Sequence, residues 1–468
     1  MGEFVDRKEE LSRLESLYES EDPELAVVYG RRQIGKTELV LKSIQDRDDA
    51  VYSQAVQATS TVQLNRFIED AEAVYPGITD IRRDWETLLA YLLERDAVVV
   101  LDEFTYLVEE DDSLPSVIQH LWDHRISRSN SSGTLVLTGS SIGMMHDEVF
   151  GGNAPLYGRI SQTPNGRMEL TQLSFSDAME FFGEYSPEEK VFAYGVFGGT
   201  PRYLLPIDDS ESLEENITRT LLDPEGSLHD EPEVVLQMEL DRVSRFFSLL
   251  ESMASGNRER NSIAQGAGIQ SRDTSYYFDR LETLNIIEKD YPVTVDPERS
   301  KKTRYRIRDP LFRFWFRYIY GRSGRYELHG EDAYSDLIEP ELPGFVSDTF
   351  ERLCQEALPS LYPDYGFTRV PGNWWHRERE IDVVAPTDSS TLVVGEAKFT
   401  NSPVGYDVLS DLEDDAPYID WTPSDSGEPD LEYVLFSRSG FKLSVEEAAE
   451  EREDLRLVDL EEVVEAVG

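Results

Sequence analysis

The first 168 residues contain short, largely apolar runs separated by segments in which apolar residues recur at helical spacing. Three of these runs have almost no polar positions; they are residues 25–28, 97–101 and 134–137. Continuous apolar runs are typical of parallel strands that are covered on both faces. A further strand fits residues 50–56. The pattern predicts a three-layer α/β domain over residues 1–168.

Beyond residue 170 the pattern becomes helical before strands return. Helices fit residues 174–182 and 187–196, and we interpret residues 169–235 as a small helical lid. Residues 236–325 have the order of a winged helix, with three helices followed by a hairpin. The predicted helices and hairpin strands of this domain lie at residues 243–254, 262–267, 272–284, 286–287 and 304–307.

Aromatic residues alternate with arginines in residues 311–320, which allows two interpretations. We favour a packed helix over a base-stacking surface. Residues 321–343 are rich in glycine, proline and acidic residues, and we interpret them as a loop at a domain boundary. The last domain, residues 326–468, begins around this loop and contains two strands at 380–385 and 392–399 that are joined by a polar turn.

The chain is strongly acidic, with 45 Lys and Arg against 93 Asp and Glu and a formal net charge of −48 over 468 residues. The excess is spread along the chain, so we expect a diffuse acidic surface. Such a surface suits high intracellular salt, where the Debye length is about 3 Å at 1 M. We therefore expect a halophilic, archaeal source, because an acidic protein of an ordinary cytoplasm would repel itself strongly.

The location of the protein can also be predicted from its composition. A single cysteine, Cys354, excludes a disulfide framework and fits a reducing compartment. The N-terminal residues do not resemble a signal peptide. No apolar run reaches the roughly 18 residues that a membrane-spanning helix needs. We expect a cytoplasmic protein with no membrane partner.

A glycine-rich segment between the first apolar run and a helix carries the most specific chemical signal. It matches the phosphate-loop spacing G-x-x-x-x-G-K-[ST]. Its glycines let backbone N–H groups surround a phosphate. Lys36 would contact the β- and γ-phosphates, and the Thr37 hydroxyl would bind Mg²⁺. The expected nucleotide-binding residues are Gly30, Arg31, Arg32, Gln33, Ile34, Gly35, Lys36 and Thr37.

Two acidic residues end the second apolar run. Asp102 lies at the C-terminal end of the strand, where ligands bind in open α/β sheets, and it can hold Mg²⁺ directly or through water. Glu103 follows it and can polarise the attacking water. The third run ends in hydroxyl residues at 138–141. These hydroxyls either contact the γ-phosphate and the attacking water or form a polar turn.

A basic stretch at residues 299–308 reverses the local charge. It has six basic residues in ten and no acidic residue. It lies on the returning strand of the predicted hairpin, so it contacts either DNA phosphates or the acidic neighbours of the protein itself.

The two strands of the last domain bring a second group of charges together. If the hairpin is centred on Ser389, Asp382 lies opposite Glu396, and Lys398 shares their face. Two carboxylates and a backbone carbonyl suit an oxygen-ligated Mg²⁺, and the lysine can orient or help to deprotonate a metal-bound water. Glu351, on an upstream helix, can add a third carboxylate. The alternatives are an exposed charged strand and a salt-bridged cluster.

With both groups of residues placed, the chain resembles the archaeal ATPase family within the STAND branch of AAA+ P-loop proteins. Its C-terminal part is similar to the PD-(D/E)xK restriction-endonuclease-like domains, although Ile381 stands where the literal motif has proline. The resemblance to the ATPase family rests on residues 4–7, 30–37, 101–103, 139–141, 156–159, 198–204 and 309–311.

The resemblance implies an α/β multidomain fold. This fold comprises a P-loop NTPase parallel sheet with a helical lid, a winged helix and a C-terminal restriction-endonuclease-like α/β domain. It implies ATP at Lys36 and Thr37, with Asp102 and Glu103 on the side of Mg²⁺ and hydrolysis. It places the turn containing Pro201 near the adenine, and it makes Asp382, Glu396 and Lys398 a nuclease-like centre. Arg159 is either a γ-phosphate sensor, a finger to a neighbouring subunit or a salt-bridge residue.

Three functions remain open at this point. The first is an ATPase that controls a metal-dependent DNA nuclease. The second is an ATP/ADP switch that alters assembly, in which the C-terminal domain only binds. The third is a DNA-binding regulator that uses the winged helix. The expected cofactors are ATP and Mg²⁺, and the expected partners are DNA and further copies of the chain.

Overall fold

The computed structural model describes residues 7–240, 242–300, 302–423, 427 and 429–468. These residues form two compact units. The first contains the residues through Gln172 together with Thr200–Arg202, and the second contains Leu173–Gly199 and Tyr203–Gly468. The predicted lid, winged helix and last domain therefore fall largely in the second unit. Residues 4–6 of the family motif and Lys301 of the basic stretch lie outside the described residues.

The first unit is built on a five-stranded sheet with the order β2-β3-β4-β1-β5, in which all paired strands are parallel. Alternate residues of the central strands enter two separate cores; Val27 and Val99 lie in one, and Val28 and Val100 in the other. Burial of both faces explains the apolar runs. The strands are β1 (Glu24–Tyr29), β2 (Ala50–Gln54), β3 (Val98–Asp102), β4 (Thr134–Gly139) and β5 (Arg167–Glu169).

Helices cover both faces of this sheet, as the predicted three-layer arrangement requires. A short π-helical segment, Met145–Phe150, follows the strand β4. The helices are α1 (Lys8–Tyr18), α2 (Lys36–Ile44), α3 (Ser60–Glu72), α4 (Trp85–Leu93), α5 (Thr105–Glu110), α6 (Leu114–His124), α7 (Ile142–Met144) and α8 (Tyr157–Ile160).

The part of the chain predicted as a lid is helical. Ser174 caps its first helix by accepting a hydrogen bond from the N–H of Asp177. Ser186 and Glu189 form a reciprocal capping box at the next helix, so both helix starts follow from local sequence. The helices are α9 (Phe175–Ala178), α10 (Pro187–Phe197), α11 (Pro201–Leu204), α12 (Leu213–Ile217) and α13 (Glu231–Glu239).

Three helices and an antiparallel hairpin follow, in the predicted order. The hairpin pairs Ile287 with Ile307 and Asp290 with Arg304. The third helix is shorter than predicted, because residues 271–273 form a 3₁₀ turn ahead of it. The elements are α14 (Ser244–Ala254), α15 (Arg260–Gly266), α16 (Ser275–Thr283), β6 (Ile287–Asp290) and β7 (Arg304–Ile307).

The aromatic stretch after the hairpin packs into the interior. It forms α17 (Pro310–Phe314) and a π-helical segment, Trp315–Ile319. Phe312, Phe314 and Phe316 are fully buried. The packed-helix interpretation is therefore confirmed, and these rings are not available to stack on bases.

The prediction of a loop at residues 321–343 is wrong. This segment contains α18 (Ser323–His329), a 3₁₀ turn at Gly330–Asp332 and α19 (Ala333–Leu337), and it leads into the long helix α20 (Leu342–Leu361). Tyr326, Tyr334 and Ile338 are buried, and burial of these few apolar side chains supports short helices in a composition that otherwise indicates a loop.

The C-terminal part contains a second five-stranded sheet with the order β12-β11-β10-β9-β8. Strands β8, β9 and β10 pair antiparallel, whereas β10, β11 and β12 pair parallel. The strands are β8 (Gly372–His376), β9 (Arg379–Pro386), β10 (Thr391–Lys398), β11 (Asp430–Ser437) and β12 (Leu455–Asp459), and the helices are α21 (Tyr406–Asp415), α22 (Leu443–Glu451) and α23 (Leu460–Val467).

Across the part of the chain that the structure describes, no helix combines the length and the apolar character needed to span a bilayer.

Candidate functional site

The phosphate-loop segment connects the end of β1 to the start of α2. Gly30 lies against the chain that follows β5, where a Cβ atom on it would come 2.4 Å from the carbonyl oxygen of Leu170. Gly35 has a φ of 95° and Gln33 a φ of 63°, both in the left-handed region. A side chain at position 30 would clash with backbone, and one at position 35 would be strained, so both glycines are required by geometry.

Lys36, the first residue of α2, is a buried lysine. Its ammonium donates hydrogen bonds to the carbonyl oxygens of Gly30 at 2.9 Å and Arg31 at 2.8 Å. The positive charge therefore lies within the loop, as phosphate binding requires.

Arg7 forms a hydrogen bond with the backbone of the same loop. Its guanidinium donates to the carbonyl oxygens of Ile34 at 3.3 Å and Thr171 at 2.6 Å, and its side chain is almost fully buried. Beyond its place in the family motif, this role of Arg7 is not evident from the sequence, because Thr171 lies far from it along the chain. Further along the loop, Arg32 donates to the hydroxyl of Tyr106 at 2.8 Å.

Asp102 is fully buried at the end of β3 and is held by three hydroxyl groups. The hydroxyls of Thr37 and Tyr52 donate to its Oδ2 at 2.9 and 2.7 Å. The Thr138 hydroxyl donates to Oδ1, which also accepts from the backbone N–H of Glu103 at 3.1 Å. The motif residue Thr37 and the acidic strand thus meet at one edge of the sheet.

The oxygen atoms at this edge fit a magnesium ion. Mg²⁺ takes oxygen ligands and is usually held by one or two carboxylates together with substrate phosphates and water. The Thr37 hydroxyl and the Asp102 carboxylate offer oxygen atoms of this kind and lie 2.9 Å apart. Tyr52 was missed by sequence reasoning, because the pairing of β2 with β3 is a tertiary feature.

Glu103 adopts a left-handed backbone conformation, with a φ of 54°. Its carboxylate accepts a hydrogen bond from the Ser140 hydroxyl at 2.6 Å, and its backbone N–H also donates to Thr138 Oγ1 at 3.1 Å. Two of the predicted hydroxyl residues therefore contact the two acidic residues. A non-glycine residue with positive φ at this position is a strained conformation of the kind that clusters at functional sites.

The remaining predicted nucleotide-site residues have different environments. Arg159 forms an ion pair with Asp123, which matches the salt-bridge alternative. Pro201 belongs to the short segment that groups with the phosphate-loop unit. The neighbouring Thr200 hydroxyl is buried and has no hydrogen-bond partner among the described residues. An orphaned buried hydroxyl beside Pro201 fits the contact with a ligand that the family resemblance implies there.

The second predicted group of charges comes together in the C-terminal sheet. The hairpin pairs Gly395 with Val383, and the next positions along the two strands are Glu396 and Asp382. The Lys398 ammonium forms ion pairs with Asp382 at 3.2 Å and with Glu396. Asp382 also accepts a hydrogen bond from the N–H of Ala397 at 3.1 Å. The hairpin centre at Ser389 is as the sequence predicts.

One ammonium group is shared here by more than one carboxylate. Burial, and then the charge of Asp382, raise the pKa of Glu396 to about 8, although Lys398 opposes this shift. The two carboxylates raise the pKa of Lys398 above its ordinary value despite burial. Burial and the charges of Asp382 and Asp348 also raise the pKa of Glu351, on α20. This group of charges therefore has more carboxylates than ammonium groups, and a further cation would stabilise it.

The described residues contain no group of three or more His, Cys, Asp or Glu placed to hold a metal ion. Lys398 takes the position between the two carboxylates that a cation would otherwise occupy. The geometry is that of the salt-bridged alternative. It fits a metal only when the lysine moves aside, so the metal role of Asp382 and Glu396 stays a prediction.

The basic stretch pairs with acidic residues of the second unit. Arg304 forms an ion pair with Glu380 at 2.5 Å and lies 4.4 Å from the ring centre of Trp375. Arg306 lies 2.8 Å from Glu288 and 3.2 Å from Asp290. Of the two alternatives for these arginines, the structure shows the intramolecular one.

Comparison with known proteins places the chain in a family. Residues 4–207 match a family described as an ATPase domain predominantly from Archaea. An uncharacterized protein of Methanocaldococcus jannaschii is 33% identical over 394 residues, which cover 82% of this chain and 85% of that protein. The chain belongs to the archaeal ATPase-domain family.

The C-terminal part of this archaeal ATPase-family chain has a match of its own. Residues 315–410 match a family described as archaeal and bacterial proteins of unknown function. An uncharacterized ATP-binding protein of M. jannaschii is 43% identical over 44 residues, covering 9% of this chain and 75% of that protein.

Two solved structures are also similar to this member of the archaeal ATPase family. A Walker-type ATPase of Pyrococcus abyssi aligns with a TM-score of 0.49 at 17% identity, covering 67% of this chain and 96% of that one. A structure of the Drosophila origin recognition complex bound to DNA aligns with a TM-score of 0.31 at 13% identity, covering 67% and 87%. Family membership rests on the sequence matches.

Proposed function

We propose that this protein binds ATP with Mg²⁺ at the phosphate-loop edge of its first unit and hydrolyses it. The observation that carries the proposal is the 2.9 Å contact between the Thr37 hydroxyl and the Asp102 carboxylate. Lys36 is the first residue of α2, and Thr37 follows it in that helix. The nucleotide phosphates would therefore meet a lysine, a hydroxyl and a buried carboxylate at one place.

In this proposal each residue of the edge has a defined task. Lys36 exchanges its two carbonyl hydrogen bonds for phosphate oxygens. Thr37 and Asp102 would hold Mg²⁺, which when bound would supply positive charge beside the phosphates. Glu103 orients a water whose oxygen attacks the γ-phosphorus as the bond to the β–γ bridging oxygen breaks, and its carboxylate takes the proton that the water loses.

Replacement of the proposed base tests this function. Glu103→Gln keeps the size and removes the basic carboxylate, so we expect turnover to fall at least about 100-fold while the Kd for ATP stays within about threefold. The matched control is Glu109→Gln on α5, whose side chain is exposed, and it should leave turnover unchanged. Both proteins are assayed in molar KCl, where we expect a chain of charge −48 to be stable. Unchanged turnover in Glu103→Gln would overturn the assignment of the base.

A second candidate function is a metal-dependent DNA nuclease controlled by the ATPase. The observation that favours it is the convergence of Asp382, Glu396 and Lys398 at the end of the hairpin. Because the carboxylates raise the pKa of Lys398, its ammonium keeps its proton and would orient water or stabilise a phosphate oxygen rather than act as a base. The three helices and hairpin at residues 244–307 would contribute a winged helix for DNA binding.

Cleavage of plasmid DNA with Mn²⁺ distinguishes the nuclease from its alternatives. The nuclease proposal expects cleavage that is lost in Lys398→Ala, and Lys36→Ala shows whether ATP controls it. If the folded protein binds DNA without cutting it, the DNA-binding regulator replaces the nuclease. If it neither binds nor cuts DNA but changes its assembly between ATP and ADP, the nucleotide switch, with its homo-oligomer, replaces both.

A further inference from the structure

The phosphate loop carries an arginine side chain that has no task in the mechanism proposed above. Arg32 lies between Gly30 and Lys36, and its side chain is partly buried. Its guanidinium donates a hydrogen bond to the hydroxyl of Tyr106 at 2.8 Å. Among the residues that the structure describes, no carboxylate forms an ion pair with it. The positive charge of Arg32 is therefore held only by a neutral group, although the chain has a net charge of −48.

The other arginine that the sequence offered for a γ-phosphate contact is already paired. Arg159 forms an ion pair with Asp123. To reach a phosphate, Arg159 would have to give up this pair, whereas Arg32 would give up one hydrogen bond to a hydroxyl. An ion pair adds Coulomb attraction to its hydrogen bond, so the cost of release is smaller for Arg32.

The position of Tyr106 shows where the Arg32 guanidinium lies. The Tyr106 N–H donates to the carbonyl oxygen of Glu103 at 3.0 Å, so Arg32 bonds to the same turn of chain that begins with the proposed base. The guanidinium thus connects the phosphate loop to the segment that carries Glu103. The γ-phosphate must lie between these two segments if Lys36 holds the phosphates and Glu103 orients the attacking water.

We propose that the Arg32 guanidinium contacts the γ-phosphate of bound ATP and acts as a catalytic residue of the ATPase. It exchanges the Tyr106 hydroxyl for γ-phosphate oxygens and keeps its own protons, while the bonds that form and break are those given above for water and Glu103. Guanidinium groups match phosphate oxygens, and an arginine on the transferring phosphoryl group contributes about 10³–10⁵ to kcat in other phosphoryl-transfer enzymes. This role rests on the ATP hydrolysis proposed above and adds a residue that distinguishes ATP from ADP.

Isothermal titration with ADP and with AMP-PNP, which resists hydrolysis, tests the contact, because only AMP-PNP carries a γ-phosphate. Arg32→Gln removes the charge and keeps a polar side chain. The matched control is Arg66→Gln on α3, whose side chain is exposed and which changes the net charge by the same amount. Mg²⁺ is present throughout, and circular dichroism shows whether each variant is folded. If Arg32→Gln does not fold, Arg32→Ala takes its place with the same expectations.

For Arg32→Gln we expect AMP-PNP to bind at least about tenfold more weakly, the Kd for ADP to stay within about threefold, and ATP turnover to fall at least about 100-fold. Arg66→Gln should change neither the two affinities nor the turnover. Unchanged AMP-PNP affinity, or unchanged turnover, in the folded Arg32 variant would overturn the proposal. An equal loss of AMP-PNP and ADP affinity would also overturn it, because the substitution would then act on the loop and not on the γ-phosphate.

The same titrations separate this proposal from the proposed function. If the wild-type protein binds both nucleotides without hydrolysing ATP, the proposed hydrolysis and the catalytic role of Arg32 fail. The ratio of the two affinities then still decides whether Arg32 contacts the γ-phosphate. If the wild-type protein binds neither nucleotide, the proposed ATP site and the role of Arg32 are both refuted.

Discussion

The carboxylates of Asp102, which is fully buried at the end of β3, and of Asp382, which is partly buried within β9, are stabilised in different ways. Asp102 accepts hydrogen bonds from the neutral hydroxyls of Thr37, Tyr52 and Thr138. Asp382 accepts from a backbone N–H and forms an ion pair with the Lys398 ammonium. Hydroxyl groups can rotate and also act as metal ligands, whereas an ammonium competes with a metal ion. The first site therefore leaves its carboxylate without a cationic side chain among the contacts that hold it, whereas the second already contains the Lys398 ammonium.

The largest expected effect concerns metal binding at the second site. Removing a carboxylate ligand in Asp382→Asn should weaken Mn²⁺ binding more than about 100-fold, because ligand loss exceeds the 10–100-fold cost of losing an outer-shell partner. Lys398→Met removes the competing charge and should tighten Mn²⁺ binding about tenfold. Calorimetry measures the Mn²⁺ affinity of both variants. The control is Lys442→Met, because the side chain of Lys442 is exposed. If neither wild type nor Lys398→Met binds Mn²⁺, the pair is a structural salt bridge and the nuclease proposal fails.

The next largest effect is expected in the pH dependence of stability, which reports whether Glu396 of the second site is protonated in the folded state. Burial and Asp382 raise the pKa of Glu396 to about 8, so the folded state keeps a proton that the unfolded state loses near its ordinary value of 4.5. Because the unfolded state then binds fewer protons, the free energy of unfolding should fall between about pH 4.5 and 8, by up to about 1.4 kcal/mol per pH unit, and level off above.

Denaturant titrations in EDTA at pH 5, 6, 7 and 8 measure this slope. Glu396→Gln should flatten it, whereas Glu447→Gln on an exposed helix face should not. A slope that is the same in wild type and Glu396→Gln would show that Lys398 keeps Glu396 ionised.

A smaller effect is expected for the basic strand. Arg304→Gln loses the ion pair with Glu380 and the contact with Trp375, so we expect a stability loss of about 1–2 kcal/mol. The salt dependence of DNA binding should not change, because the Arg304 guanidinium is already paired with Glu380. Arg299, in the same stretch, is largely exposed and is the matched comparison. A drop of about 0.9 in the log–log salt slope for Arg304→Gln, without loss of stability, would show a phosphate contact instead.

The smallest effect should come from the tyrosine that supports Asp102. Tyr52→Phe removes one donated hydrogen bond of 2.7 Å and should cost about 1 kcal/mol, or a few-fold in ATP turnover. Steady-state kinetics measure this change, with the exposed Tyr157→Phe as control. A loss as large as that expected for Glu103→Gln would mean that Tyr52 acts on substrate rather than through Asp102.

Local patterns predicted the parts of both sites that depend on a single element or hairpin. The phosphate loop follows from glycine spacing between a strand and a helix. The meeting of Asp382 and Glu396 follows from a hairpin centre at Ser389, since a two-residue period fixes which side chains share a face. Helix starts at Ser174 and Ser186 follow from their capping side chains.

The features that sequence reasoning missed depend on contacts between distant segments. Tyr52 reaches Asp102 only because β2 pairs with β3, and Arg7 reaches the phosphate loop across 27 residues. The helices at 323–337 form because a few aromatic side chains are buried against the rest of the unit, which outweighs a loop-like composition. The pairing of Arg304 and Arg306 with acidic residues was not missed but was one of two alternatives that the sequence left open, and the positions of β6 and β9 were needed to decide between them.

In the function that we propose, Lys36 holds the phosphates of ATP beside Thr37 and Asp102. Equilibrium titration of ATP with Mg²⁺ on wild type and on Lys36→Ala tests it most directly, with circular dichroism confirming that both are folded. We predict saturable binding by wild type with one ATP per chain and a loss of affinity of at least about 100-fold in Lys36→Ala, because the charge that contacts the phosphates is removed. Unchanged affinity in a folded Lys36→Ala protein would show that Lys36 does not hold the phosphates of ATP.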